Sequence, residues 1–409
     1  MALMQIEDAG EGGGRPSWNA FLEMGFRPLY LAGCAWAAIA VLVWIFAPHW
    51  LVGTLGGVAW HAHEMLWGFV ATIAVGFLLT ASANWTNRNP LQGPALGGLL
   101  AVWLVARVAF LLPGAKAFGF GVLAELLFFL VAVVAVARVI ILARSRRNYF
   151  VPVLLAALGV ADLLFLLAVA GGDYAALMRH VATGMLVMSV LTLLVARRVI
   201  PFFASRAVPG LQIPMHERSG HWQLVVASIA VLCALLQWSW PMAVALLIAG
   251  VIGLVQVLAW QPRAVLGRPL LWVLYLGYAM LAVGLIVAAV QALGVGRAAL
   301  PLHLIGIGGF SLLIIGMVTR TALGHSGRAL QTDRSMVASY VCVALALVLR
   351  LAALWPSAWV LGLWRASALL WGLAFALYLW RFTPWLVSPR ADAGKRVIPV
   401  SAAAPRQGA

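Results

Sequence analysis

Residues 117–143 read AFGFGVLAELLFFLVAVVAVARVIILA, and only two of these side chains, Glu125 and Arg138, are charged. A helix needs about 20 mainly apolar residues to cross the hydrocarbon core of a bilayer, which is about 30 Å thick. This stretch is therefore predicted to be a transmembrane helix that carries one acidic group inside the apolar layer.

Eleven further stretches of the same kind occupy most of the remaining chain. The predicted spans are roughly 26–47, 60–83, 94–112, 117–143, 150–170, 173–196, 221–239, 241–260, 269–292, 299–320, 335–354 and 357–382. They predict an all-α integral membrane protein with about twelve transmembrane helices. It consists of an N-terminal arm (1–25), a transmembrane domain (26–382) and a C-terminal tail (383–409), which leaves no room for a soluble catalytic domain.

Composition excludes several classes of protein. Hydrophobic residues make up 64% of the chain and charged residues 9%, with a mean hydropathy of +1.02, whereas soluble domains carry about 25% charged residues. Three cysteines (Cys34, Cys233 and Cys342) are too few for a disulfide framework, and each is expected to be buried. No Walker sequence, G-x-S-x-G or Cys-x-x-Cys occurs, which excludes nucleotide hydrolysis and disulfide exchange.

The basic residues predict the orientation in the membrane. Of 27 lysines and arginines, 21 lie nearer the side of both termini. The other six are Arg107, Lys116, Arg179, Arg297, Arg350 and Arg365. The positive-inside rule therefore places both termini in the cytoplasm. The net charge of +16 is thus assigned to orientation and to contact with lipid headgroups, and no nucleic-acid partner is predicted.

Histidines near the outer ends of three spans are the candidate cofactor ligands. His61 and His63 lie in the second span, His180 in the sixth and His303 in the tenth. Imidazole is a good ligand for haem iron, copper and zinc, and polar groups within the hydrocarbon layer indicate function. Taken singly, each could equally be an interfacial residue bonded to water or lipid. His61 and His63 lie about 200° apart around a helix, so that one helix can serve two sites.

Matching intervals suggest an internal repeat. His180 to Arg197 and His303 to Arg320 are both 17 residues, and Gly68 and Gly76 follow His63 at the same intervals as Gly308 and Gly316 follow His303. Because the three histidine-bearing spans are four apart in order, we expect a pseudo-threefold repeat of four-helix units.

Three acids within the apolar spans are candidates for supporting roles. Glu64 directly follows the histidine pair and is expected to accept a hydrogen bond from a ligand imidazole. Glu125 and Asp162 are expected to carry protons toward the site, or else to be paired internally with an arginine or a backbone group.

Five motifs carry a family resemblance. WHAHEM (60–65), GFRPLY (25–30), NWTNRNP (84–90), RVIPFF (198–203) and TRTALGHSGR (319–328) resemble the NnrS family of bacterial inner-membrane proteins. The resemblance implies a haem- and copper-containing protein of about twelve helices, tied to nitric oxide metabolism, denitrification and resistance to nitrosative stress. It places the family's histidines at His61, His63, His180 and His303, and it gives His325 of the GHSGR run no role.

The resemblance also implies b-type haem and copper as cofactors and nitric oxide as ligand or substrate, with quinol or an outer-face protein as the electron donor. The fold is similar to that of subunit I of haem-copper oxidases, but the paired histidines of its seventh helix are missing here, where only His221 occurs. Whether the protein is an enzyme stays open. The alternatives are a twelve-helix transporter and a sensor or assembly factor that carries haem or copper without catalysis.

Overall fold

The computed structural model describes residues 15–392, so that residues 1–14 of the predicted arm and 393–409 of the predicted tail lie outside the described part. Within it, twelve helices are long and apolar enough to cross a membrane, as predicted, and no strand occurs. They are α1 Phe26–Phe46, α2 Gly57–Thr86, α3 Gly93–Leu111, α4 Ala115–Leu142, α5 Arg146–Ala170, α6 Tyr174–Ala207, α7 Glu217–Leu235, α8 Ser239–Ala259, α9 Pro269–Ala292, α10 Ala299–His325, α11 Arg334–Ala352 and α12 Val360–Leu386.

The helix ends extend beyond several predicted spans. Helix α6 runs on through Pro201 to Ala207, although the apolar pattern ends near residue 196. Because helical hydrogen bonds form within the backbone, a helix does not have to stop where apolar side chains stop. A short helix, Trp18–Phe21, precedes α1, and the backbone N–H of Ser17 donates to the carbonyl of Val387 at 2.9 Å. The described part of the predicted arm is therefore packed beside the end of α12.

Since Ser17 contacts Val387, both ends of the described chain lie at one end of the bundle. We call the opposite end, where α2, α6 and α10 begin, the distal end. These three helices are the most buried of the twelve, and they contact one another at the centre of the bundle. Apolar side chains such as Leu127, Leu130 and Val134 of α4 are exposed on the outside, where a bilayer would cover them. The three histidine-bearing helices thus lie at the centre of the bundle, and the threefold repeat stays a prediction.

Two of the central helices contain a π-helical segment at corresponding places. Glu64–Ala71 in α2 begins directly after His63, and Leu304–Ser311 in α10 begins directly after His303; each has eight residues. A hydroxyl donates back into each wide turn. Ser311 donates to the carbonyl of Gly306 at 2.8 Å, and Thr72 donates to the carbonyl of Gly68 at 2.9 Å, with a longer contact of 3.3 Å to the carbonyl of Trp67. Wide turns of this kind are frequent at functional sites, and they change the face that the distal end of each helix presents.

Candidate functional site

Five ionisable side chains meet inside the distal half of the bundle, and we call them the buried charge cluster. They are His63 and Glu64 of α2, Arg107 of α3, Glu125 of α4 and Asp162 of α5, and none is more than 1% exposed. Removing a charge from water is costly unless the charge is paired and hydrogen-bonded. The contacts within the cluster therefore determine what it can bind.

Glu64 is the best-satisfied member of the cluster. Nδ1 of His63 donates to its Oε1 at 2.8 Å, and Nη1 of Arg107 donates to its Oε2 at 2.9 Å. The indole N–H of Trp36 on α1 also donates to Oε2. Nη2 of Arg107 donates to Oε2 of Glu125, so that one guanidinium joins two carboxylates from different helices. The predicted hydrogen bond between Glu64 and an imidazole is present in the structure.

Other atoms of the cluster have no hydrogen-bond partner in the described part of the chain. Nε2 of His63 lies 3.1 Å from Oδ1 of Asp162, but the two atoms are not aligned as a hydrogen bond. Within residues 15–392, both carboxylate oxygens of Asp162 and Oε1 of Glu125 also lack a hydrogen-bond partner. One ligand atom from each of His63, Glu125 and Asp162 lies within 4.8 Å of the other two. The cluster thus presents one imidazole and two carboxylates toward a common point.

Aromatic rings enclose this point. The imidazole of His63 contacts the rings of Trp67, Phe110 and Phe165, with centroids 5.5, 4.9 and 5.8 Å away. The guanidinium of Arg107 lies 5.6 Å from the ring centroid of Phe110. Such a wall keeps water out and lowers the local dielectric constant, which strengthens every charge interaction inside it.

A second site, which we call the imidazole pair, consists of His61 on α2 and His303 on α10. The ring of His61 stacks on Trp44 at 5.3 Å and 13°, and its buried Nδ1 has no hydrogen-bond partner among the residues that the structure describes. The π-helical segments that follow His61 in α2 and His303 in α10 contact each other. His61 and His63 contact different partners, and that one helix serves two sites stays a prediction.

Two contacts define the state of His303. Its Nδ1 lies 2.7 Å from the carbonyl of Ala299, and Nε of Arg350 donates to its Nε2 at 3.1 Å. A carbonyl only accepts and a guanidinium only donates, so the proton of His303 is assigned to Nδ1 and the Nε2 lone pair faces Arg350. His303 is therefore a neutral imidazole of the kind that binds metals.

His180, the remaining candidate ligand, lies apart from both sites. It is half-buried on α6 next to the exposed Arg179, and within residues 15–392 it makes no hydrogen bond. The four predicted ligands are thus divided among three places. His61 and His303 lie near the distal ends of two helices that contact each other, His63 lies among carboxylates, and His180 makes no hydrogen bond within residues 15–392.

The imidazole pair fits a metal bound through histidine nitrogen. It supplies an unpartnered buried ring nitrogen on His61 and an imidazole held by a backbone carbonyl on His303, which is a common arrangement for metal-binding histidines. A cavity of about 90 Å³ lies farther from the distal end, between α2, α6 and α10. Apolar side chains line it, and no histidine does. It is smaller than typical cofactor pockets of about 300–1,000 Å³ and is not adjacent to the candidate histidines.

The sequence did not identify Arg107, Trp36 or Arg350 as members of these sites. Counting charges by side assigned Arg107 and Arg350 to the outer face, whereas Arg107 is fully buried and Arg350 contacts His303. The sequence feature that could have identified them is an arginine within an apolar span, because a charge at such a position needs a partner inside the protein. Glu125 supplies that partner, in line with the predicted internal pairing with an arginine.

Comparison with protein-family models gives a match to "NnrS protein" over residues 20–390. A search of the curated proteins gives no match. The family match covers all twelve helices, the buried charge cluster and the imidazole pair. Because it extends over nearly the whole chain, the chain belongs to the NnrS family.

Proposed function

We propose that this protein is a haem- and copper-binding inner-membrane protein that takes part in nitric oxide metabolism and in resistance to nitrosative stress. Membership in the NnrS family supports this role, and the twelve membrane-spanning helices support a multi-pass location. The excess of arginine on the side of both termini supports cytoplasmic termini. In this orientation the distal end, with both sites, faces the periplasm.

One observation supports the ligand assignment: the buried Nδ1 of His61, near the distal end of α2, has no hydrogen-bond partner within residues 15–392. The stacking of His61 on Trp44 fixes one ring, and the carbonyl of Ala299 fixes the other. Ring orientation set in advance reduces the cost of binding a metal. The proposal therefore assigns cofactor ligation to His61 and His303, and ligation by His63 and His180 stays a prediction.

The chain's residues contribute binding and orientation. Bound haem iron or copper supplies the redox chemistry, including the binding of nitric oxide and its reduction with electrons from quinol or an outer-face donor. Arg350 contacts the ligand nitrogen of His303 and places a positive charge at the site. A proton path through Glu125 and Asp162 stays a prediction.

The test is a dithionite-reduced minus oxidised visible spectrum of the detergent-purified full-length protein, expressed with ample haem. We expect sharp α and Soret bands in the wild type, and their loss or displacement in His61→Ala and His303→Ala. His49→Ala is the matched control, because His49 lies exposed in the Pro48–Trp50 turn near the start of α2. Titration with nitric oxide should then shift the Soret band.

A colourless, folded wild type would overturn the proposal and favour a transporter. Metal that is bound reversibly and in substoichiometric amounts would favour an assembly factor. Unchanged spectra in both histidine variants would overturn the ligand assignment alone.

A further inference from the structure

We propose that the buried charge cluster is a binding site for one divalent transition-metal ion of the class of Zn²⁺, Mn²⁺ and Fe²⁺. Its ligands are Nε2 of His63 and one carboxylate oxygen each of Glu125 and Asp162. The three side chains are 0% exposed, and their ligand atoms lie within 4.8 Å of one another. This site is separate from the imidazole pair and does not depend on the function proposed above.

The distances suit an ion at the common point. Ligand atoms about 2.0–2.1 Å from one ion, at bond angles of 90–109°, lie about 2.8–3.4 Å apart. Nε2 of His63 and Oδ1 of Asp162 are 3.1 Å apart, which already falls in this range. Glu125 presents Oε1, which has no other partner, while its Oε2 is held by Arg107. Two ligands on opposite sides of an ion are at most about 4.2 Å apart, so the third ligand has only to close in slightly.

The hydrogen bond on the far side of His63 orients this imidazole. Its Nδ1 donates to Glu64, which leaves Nε2, facing Asp162, as the nitrogen that a metal ion would take in place of a proton. When Nε2 carries no proton, it and Oδ1 of Asp162 are two acceptors 3.1 Å apart, and a positive ion between them relieves their repulsion. Arg107 and Trp36 in turn hold Glu64. A carboxylate that holds the far nitrogen of a ligand histidine is the usual outer shell of a protein metal site.

The formal charges also favour a divalent ion. With its three carboxylates ionised and His63 neutral, as a bound metal ion requires, the cluster has three negative charges and the one positive charge of Arg107, an excess of two buried negative charges. A divalent cation balances this excess inside an aromatic wall where unpaired charge is costly. Nitrogen and carboxylate donors without a thiolate suit Zn²⁺, Mn²⁺ and Fe²⁺ better than monovalent copper.

The experiment uses the full-length protein in detergent, stripped with a chelator and then titrated with Zn²⁺ alone. Isothermal titration and the metal retained after gel filtration give the stoichiometry and affinity. To separate this site from the imidazole pair, the titration is repeated in a His61→Ala, His303→Ala double variant. We expect one tightly held Zn²⁺ per chain in the double variant. In the same background Asp162→Asn should abolish stoichiometric binding, and Glu64→Gln should weaken it about 10- to 100-fold.

Asp173→Asn is the matched control, because Asp173 is an exposed carboxylate at the distal end and asparagine keeps its role as the N-cap of α6. It should bind Zn²⁺ like the parent. Thermal unfolding is a second test, and it needs no substitution within the cluster. Zn²⁺ should raise the unfolding temperature of the stripped double variant, because a ligand that binds only the folded state stabilises that state.

The proposal is overturned if the folded double variant binds no Zn²⁺ and gains no thermal stability, or if Asp162→Asn binds Zn²⁺ as well as its parent. Since the spectra that test the imidazole pair are recorded separately, either result leaves the proposed haem ligands unaffected.

Discussion

Nε2 of His63 and Oδ1 of Asp162 lie 3.1 Å apart in the interior of the bundle, although the two residues belong to α2 and α5. The first was predicted as a cofactor ligand and the second as a proton carrier. Their contact joins the two roles in one place, since His63 is surrounded by carboxylates and aromatic rings. The consequences of this arrangement can be measured.

Gly68 lies against three side chains that hydrogen-bond one another in the buried charge cluster, and there is no space for a larger residue. A Cβ at this position would collide with Nη1 of Arg107 and Oε2 of Glu64 and would lie 3.0 Å from Nε1 of Trp36. Gly68→Ala should therefore separate the ion pair and destabilise the fold by about 3–5 kcal/mol, as breaking a buried pair does. Denaturant unfolding in detergent measures the loss. Gly98→Ala on α3, where a Cβ meets nothing within 4 Å, should be neutral or slightly stabilising.

Arg107 neutralises two buried carboxylates at once. Arg107→Met keeps much of the side-chain length but leaves Glu64 and Glu125 without their cation, so we expect a loss of about 3–5 kcal/mol in unfolding free energy. Adding Glu125→Gln to this variant should restore part of the loss, which a double-mutant cycle would quantify. Arg179→Met, at an exposed position of α6, should change stability little. Equal effects of the two arginine variants would contradict this account of the cluster.

Asp333 makes a contribution to stability that depends on pH. Partial burial acts to raise the pKa of this carboxyl, but hydrogen bonds from Ser335 and the Met336 amide and the charge of Arg381 outweigh it, so the pKa lies below its ordinary value of 3.8. The unfolded chain then takes up the proton more readily than the folded one. This stabilisation is therefore complete above the ordinary pKa and is lost as the pH falls from about 3.8 through the lower folded value.

The Asp333→Asn variant should lose less stability than the wild type as the pH falls, because asparagine still caps the helix but does not titrate. Unfolding midpoints recorded from neutral pH down to the acid limit measure it. Glu217→Gln, at an exposed carboxylate in the first turn of α7, is the control. An Asp333→Asn profile parallel to that of the wild type would contradict the assignment.

Arg350 competes with a metal for His303. Its Nε donates to the Nε2 lone pair at 3.1 Å, so a metal that binds this nitrogen has to displace it. Arg350→Met should therefore tighten binding of Cu²⁺ at the imidazole pair by about tenfold, which corresponds to roughly the free energy of one hydrogen bond to a charged group. A Cu²⁺ titration in an Asp162→Asn background, which removes a ligand from the cluster, measures this effect. Arg365→Met on the exposed face of α12 is the control, and weaker binding in Arg350→Met would contradict the expectation.

The sequence by itself determined the twelve helices, because bilayer thickness sets the length of an apolar span and helical hydrogen bonds are local. It also determined the depth of His61, His63 and His303 near the helix ends, since each residue adds about 1.5 Å along the axis. The burial of Cys34, Cys233 and Cys342 followed from their apolar surroundings and is confirmed.

Only the tertiary structure decided which of these residues meet. The π-helical segments after His63 and His303 change the faces of α2 and α10, and no pattern of apolar residues reveals such a wide turn. From the sequence, Arg107 was assigned to the outer face. In the structure α3 packs beside α2 and α4, and Arg107 joins two carboxylates. The reason is physical: hydropathy records how deep a residue lies in the membrane, whereas the pairing of buried charges depends on how the helices are rotated and on which neighbours they have.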